Sequence, residues 1–254
     1  MTIEAAFLLR VFLVFVRIGG FFMAGPFFGH SSVPVRVRVL LAAVMAFALV
    51  GLVPPGVPPH TDQAAGMLAA VLIEAFTGAA LGFAARFIFW AVQFGGEVMG
   101  FQMGLSMAQA FDPNSGNSAN PWGRILSWVF MIFFVLLDGH HSLILALVGS
   151  FEIVPLAGAQ VAASGPLFLQ WTGQFFMTAL QIASPFMITF FLVELTLGVF
   201  ARVAPQTDLF SLSIPLKLFI GLGLAYLFIE NLVPTMPLHL GNMVRDLGSL
   251  IDVF

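Results

Sequence analysis

Residues Ala64–Leu105 read "AAGMLAAVLIEAFTGAALGFAARFIFWAVQFGGEVMGFQMGL", and the class of the whole protein turns on this stretch. A helix that crosses a bilayer needs about 20 mostly apolar residues. Ala64–Phe94 alone is longer than that, and its apolar character resumes through Val98–Leu105 after an interruption of only Gly95, Gly96 and Glu97. Immediately afterwards the composition reverses. The run "SMAQAFDPNSGNSAN" is polar but nearly uncharged, with Asp112 its one ionisable residue before Arg124.

The rest of the chain resembles the apolar side of that boundary. The 254 residues are 60% hydrophobic and 8% charged, with a mean hydropathy of +1.04. A soluble domain carries roughly 45–50% apolar and about 25% charged residues. So much apolar surface cannot be hidden inside a water-soluble particle of this size. The sequence therefore predicts an all-α integral membrane protein, forming a single membrane domain over residues 1–254. The formal net charge of -3 and the lack of a basic patch argue against nucleic acid as a partner. With no cysteine there is no disulfide framework and no thiolate metal site. At the N-terminus Glu4 precedes the apolar run and no basic region does, which describes a first membrane element better than a cleavable signal.

Six candidate spans emerge: Ala5–Phe28, Val39–Val53, Ala64–Phe94, Ile125–Gly149, Leu167–Val203 and Ile214–Val233. Proline and glycine cluster between them, as in "GHSSVPVRVR", "PPGVPPHTD" and "APQTDLFSLSIP". Six is a first approximation, because Ala64–Phe94 is too long for one span. Leu167–Val203 is also long and contains Pro185, which is expected to kink or split it. Arg36, Arg38, Arg202 and Lys217 lie by odd-numbered connections, which places those connections in the cytoplasm and both termini outside.

Ionisable residues stand deep in these runs: Arg10, Arg17, Glu74, Arg86, Asp138, Glu194 and Glu230. On an insertion scale each Arg or Asp at a helix centre costs about 2.5–3.5 kcal/mol. They are spread over nearly every segment and not gathered on one or two helices. That pattern favours pairing within the chain or with a partner subunit over a proton or ion pathway. The "LLDGHHSL" stretch offers Asp138, His140 and His141, but adjacent histidines point about 100° apart on a helix and cannot share one ion. Neither G-x-S-x-G nor H-E-x-x-H occurs, so nothing indicates catalysis or a cofactor.

Leading into the polar run, Gly96, Gly100, Gly104 and Ala108 make a small-residue stripe at spacing four, which lets helix backbones approach closely. Met99, Met103 and Met107 run beside it, offering a polarizable surface that moulds to its neighbours. Irregular backbone at membrane depth survives only inside protein or lining water, and long loops are usually functional or disordered. The loop is thus either a connector in water or a plug in a pore, and the residues alone leave both open.

Four motifs, in order, are "GPFFGHSSVPVRVRVLLA", "GGEVMGFQMGLSMAQAFDP", "LLDGHHSLILALVGSFEIVPLAG" and "VELTLGVFARVAPQTDLFSLSIPLKLFIGL". Together they cover most of the chain, and in them it resembles the FliR family of flagellar export-gate subunits and their injectisome relatives. The resemblance implies kinked helical hairpins that form part of a multi-subunit helical export-gate channel in the bacterial inner membrane, at the flagellar basal body. It implies FliP, FliQ and FlhB as partners, and unfolded flagellar proteins as cargo in transit. It also implies that the central loop plugs the pore. Phe111, Asp112, Pro113, Asn114, Ser115 and Gly116 would begin the plug, Asn117 to Pro121, with Ser118 and Asn120 among them, would complete it, and Met103 and Met107 would lie near its root. Asp208 in "APQTDLF" departs from the Asn expected in the family. The alternative within the family is the injectisome export-apparatus counterpart. The different-class alternative is a secondary transporter working through the buried Glu and Arg residues, which predicts a monomer or homodimer with a small-molecule site at mid-depth and would be favoured by an internal repeat; no convincing repeat is seen.

Overall fold

The computed structural model describes residues 3–30, 32–56, 58, 61, 63–105, 120–206 and 208–254. The described residues form eight α-helices and two short 3-10 turns, without a β-strand. The helices are α1 (Ile3–Ala24), α2 (Val35–Leu49), α3 (Ala64–Gln102), α4 (Pro121–Leu136), α5 (Gly139–Ile153), α6 (Gly165–Val203), α7 (Leu209–Leu232) and α8 (Met236–Val253). The all-α membrane class stands.

The span count changes. By length and composition α1, α3, α6 and the stretch Ser211–Val253 can each cross a bilayer, and α4 with α5 makes a fifth if the broken pair is one span. At 15 residues α2 is only about 22 Å long, short of a hydrocarbon core of about 30 Å. The expected span over 125–149 is two helices, because the chain turns at Asp138, whose φ of 54° is left-handed and cannot continue an α-helix. Conversely α3 runs unbroken for 39 residues, about 58 Å, straight through Gly95, Gly96 and Glu97.

Helix α6 is also a single helix of 39 residues, with Pro185 inside it; the expected split does not occur. A proline removes the N–H that would bond the carbonyl four residues earlier, here Gln181. The Ser184 hydroxyl donates to the Gln181 carbonyl at 2.9 Å, so that acceptor keeps a partner.

The chain divides into two compact units. The first comprises Met1–Phe87, Val135–Thr172 and His239–Phe254. Its centre is the α1–α3 contact, where glycines bring the backbones together. A methyl group at Gly78 would overlap the Arg17 carbonyl, and one at Gly82 would come within 2.6 Å of the Phe21 carbonyl. One at Gly20 would meet the Ala75 carbonyl at the same distance. Helix α8 closes this unit with the apolar face Leu240, Met243, Leu247, Leu250 and Ile251, while Asn242, Arg245 and Asp252 face outward.

The second unit comprises Ile88–Phe134 and Gly173–Leu238. Phe89 meets Phe130 and Phe134 edge to face, and Phe186 meets Phe228 in the same way, a geometry the ring quadrupoles favour. Large apolar side chains of α6 and α7, among them Leu192, Val199, Val203, Phe219 and Leu222, remain more than half exposed. Such a surface belongs against lipid or other protein, not water.

Candidate functional site

The first unit holds a fully buried ion pair. Arg17 of α1 and Glu74 of α3 both have fully buried side chains, and Arg17 Nε donates to Glu74 Oε2 at 2.5 Å. Arg17 Nη2 donates to Glu74 Oε1 at 3.0 Å, making the pair bidentate. The guanidinium is used up by the end of α5. Nη1 reaches the Ser150 and Val154 carbonyls at 3.0 and 3.2 Å, and Nη2 reaches those of Val154 and Pro155 at 3.2 and 3.4 Å. The last carbonyls of an α-helix have no partner within it, and a cation there complements the helix dipole. Glu74 Oε1 also accepts the Ala157 N–H at 2.6 Å, fixing a residue in the left-handed region at φ 57°. Phe151 stacks 4.4 Å from the guanidinium carbon. One ion pair thus joins α1, α3, α5 and the 154–157 turn.

The other intramembrane charges settle differently. Arg10 Nη2 donates to the Val50 and Val53 carbonyls at 3.2 and 2.7 Å, closing the end of α2. Arg86 Nη2 reaches the Gly25 and Gly29 carbonyls at 3.3 and 3.4 Å. Glu194 of α6 pairs with Lys217 of α7 at 2.8 Å, on a partly exposed face. Glu230 is exposed on α7, and Asp138 is exposed at the α4–α5 break. Among the described residues no three His, Asp or Glu side chains gather as a metal site.

In the second unit the structure describes the two roots of the polar segment. Ser106–Ala119 lies outside the described residues, and with it Met107, Ala108, Phe111, Asp112, Pro113, Asn114, Ser115, Gly116, Asn117 and Ser118. On the near side Met103 is 1% exposed and lies against Gly221 of α7, where a methyl group would come within 2.5 Å of its Cγ. On the far side Asn120 is buried, and its Oδ1 accepts the Trp122 N–H at 3.0 Å. That is an N-cap for α4. Trp122 Nε1 donates to Met99 Sδ at 3.3 Å.

The glycine stripe divides. Gly96 faces Gly123, where an added methyl would come within 2.7 Å of the Gly123 Cα, and Gly100 faces the Asn120 amide. Gly104 lies beyond the end of α3, at φ 80°, and among the described residues nothing comes within 4 Å of a methyl group added there. Its left-handed backbone turn is what calls for glycine here.

Several residues here escaped the sequence reading. Gly78 and Gly82 form a G-x-x-x-G in "TGAALG", a signal legible by spacing. Ser184 beside Pro185 was legible as a hydroxyl able to serve the freed carbonyl. Gly221 carried no local signal, since only α7's placement gives it Met103 as a neighbour. Asp208 caps α7: Oδ1 accepts the Ser211 N–H at 3.3 Å and Oδ2 accepts the Ser211 hydroxyl at 2.5 Å. Aspartate and asparagine cap about equally well, which gives the departure at this position a local explanation.

Comparison with known proteins places the chain. Residues 8–243 match the family model described as "Bacterial export proteins, family 1". The flagellar biosynthetic protein FliR of Escherichia coli (strain K12) is 32% identical over 220 residues, covering 86% of this chain and 84% of that one. FliR of Bacillus subtilis (strain 168) is 31% identical over 216 residues, 82% of each chain. FliR of Aquifex aeolicus (strain VF5) is 27% identical over 249 residues, with 98% and 96% covered.

Proposed function

This chain belongs to the FliR family of bacterial export proteins, and from that premise we propose that it is a channel-forming subunit of the flagellar type III export gate. It is a multi-pass inner-membrane component of the flagellar export apparatus. In the proposed role it assembles with FliP and FliQ, is joined by FlhB, and passes unfolded flagellar proteins across the membrane. It works by shape and not by catalysis. The family match across residues 8–243 carries this reading. The exposed apolar faces of α6 and α7 support it, as does the Glu194–Lys217 pair on them, since a charge pair on a spanning helix calls for protein or water beside it.

The polar segment 106–119 acts as the plug of that channel. Its composition suits it to sit in water between apolar walls, and its two roots are buried and glycine-lined. Both halves of the proposal are tested together. Tagged protein is purified from native membranes after crosslinking, and its companions are identified by mass spectrometry. FliP-like and FliQ-like proteins are expected in one large particle; a lone chain after crosslinking sinks the gate. Deletion of Asn114–Ala119, which spares the Asn120 cap, should leave that particle intact and make the membrane leak ions. A tight membrane with an intact particle removes the plug.

A further inference from the structure

Between Glu4 and Asp62 the sequence holds Arg10, Arg17, Arg36 and Arg38 and no acidic residue. Arg17 is neutralised by Glu74, and Arg10 closes the far end of α2. Arg36 and Arg38 stand in the first turn of α2. Arg38 Nη2 donates to the His30 and Val33 carbonyls at 2.7 and 2.8 Å, and Arg86 of α3 reaches the neighbouring Gly29 carbonyl at 3.4 Å. Two guanidiniums therefore hang on adjacent carbonyls of the connection between α1 and α2. The described partners of Arg38 are carbonyls and the Met23 sulfur, all neutral. Arg36 is exposed on the other side of the helix. Positive charge thus gathers at this turn with no carboxylate in its own stretch of chain. Because α1, at 22 residues, is about 33 Å long, its end brings the turn to a membrane surface.

The outer side of α2 continues from Arg36 as an apolar stripe. Leu40, Val44 and Phe47 are 66%, 59% and 68% exposed, while Ala42 and Ala46 are buried and the helix packs along α1. At 3.6 residues per turn Arg36, Leu40, Val44 and Phe47 share an arc of about 80°. The rise from Arg36 to Phe47 is about 16 Å, close to the roughly 15 Å of one leaflet in a hydrocarbon core of about 30 Å. A cation heading an apolar stripe one leaflet long matches an amphiphile with an anionic head. We infer that the outer face of α2 binds an anionic phospholipid, its headgroup phosphate on the Arg36 guanidinium and one acyl chain along Leu40, Val44 and Phe47. Arg38 and Arg86 strengthen the positive field at the headgroup. A partner helix laid there would have to bring its own carboxylate to the level of Arg36, whereas the lipid carries its charge at that level by construction. The site needs only residence in a membrane and does not rest on the export-gate reading.

The experiment uses the full chain with the companions it keeps in mild detergent. The sequence has no cysteine, so Val44→Cys carries a single fluorophore on the stripe; if that label spoils the particle, Leu40→Cys carries it instead. Quenching is followed as phosphatidylglycerol or phosphatidylcholine with brominated chains is added to the micelles. The two lipids share a phosphate, but choline cancels its charge. Phosphatidylglycerol should quench at a mole fraction roughly five-fold lower or better, and Arg36→Gln should cost roughly five-fold of that preference while leaving phosphatidylcholine unchanged. Arg202→Gln, at an exposed position on α6, should change nothing. Equal quenching by the two lipids, or a preference that survives Arg36→Gln intact, overturns the site. Quenching by neither lipid means that protein covers this face, and overturns it as well. Excess inorganic phosphate should leave the preference standing; if phosphate abolishes it where chloride at the same ionic strength does not, the site takes the free ion and the lipid is refuted.

Discussion

Replacing Arg17 should damage the protein more than replacing Glu74, although the two form one ion pair. Removing one partner of a buried pair typically costs about 3–5 kcal/mol, because the survivor stays charged without compensation. The survivors differ here. After Glu74→Gln, Arg17 still donates to the Ser150, Val154 and Pro155 carbonyls, so four bonds to helix-end dipoles continue to solvate its charge. After Arg17→Met, Glu74 keeps only the Ala157 N–H among its described partners, and the Val154 carbonyl loses its guanidinium donors, while the Ser150 and Pro155 carbonyls keep the Val154 and Gly158 N–H groups. Arg17→Met therefore belongs at the upper end of that range and Glu74→Gln at or below the lower end. For a chain of this size 1 kcal/mol moves a melting temperature by about 2–4 °C. Arg17→Met should then lower the melting temperature in mild detergent by roughly 10–20 °C, and Glu74→Gln by clearly less. The double variant Arg17→Met/Glu74→Leu should recover much of the loss, since apolar replacement of a whole buried pair is often nearly neutral. Melting curves of the four proteins, followed by size-exclusion recovery after heating, decide this. Equal losses for the two single variants, or a double variant as poor as their sum, would refute the account in which carbonyl dipoles hold the arginine.

Gly78→Leu should abolish folded yield, because a Cβ there overlaps the Arg17 carbonyl, while Gly198→Leu on α6 meets nothing within 4 Å and should be recovered at normal yield; detergent-extracted monodisperse protein is the readout. Asp208→Ala should cost about 1 kcal/mol through loss of the α7 cap, and Asp208→Asn almost nothing, as judged by the same melting assay. Gly104→Ala should cost about 1 kcal/mol through its left-handed backbone alone, with no loss of helix contact; partial-proteolysis rates near residue 105 would report it.

The division between what could and could not be read follows particular residues. Arg10, Arg17, Glu74 and Arg86 were identifiable as anomalies because charge in an apolar run is costly wherever the helix sits. Their partners were not, since Glu74 lies 57 positions from Arg17 and the Ser150 carbonyl 133. The stripe at Gly96, Gly100 and Gly104 was visible as spacing, yet the three glycines serve a helix contact, a side-chain notch and a turn. Pro185 looked like a break because one hydrogen bond must be lost there; Ser184, one residue away, supplies the replacement.

Taken alone, the sequence determined the membrane class, the helical content and the family, because these depend on sums over many residues and on motif order. Only the tertiary structure decided which apolar runs are single helices long enough to span, where the chain breaks at Asp138, and that Arg17 and Glu74 form one knot at the end of α5. Those outcomes depend on which backbone carbonyls and side chains come within about 3 Å of each other. In a chain so uniformly apolar, hydrophobic periodicity barely distinguishes one face of a helix from another. The few glycines and buried polar groups therefore set the contacts, and their partners are defined only in three dimensions.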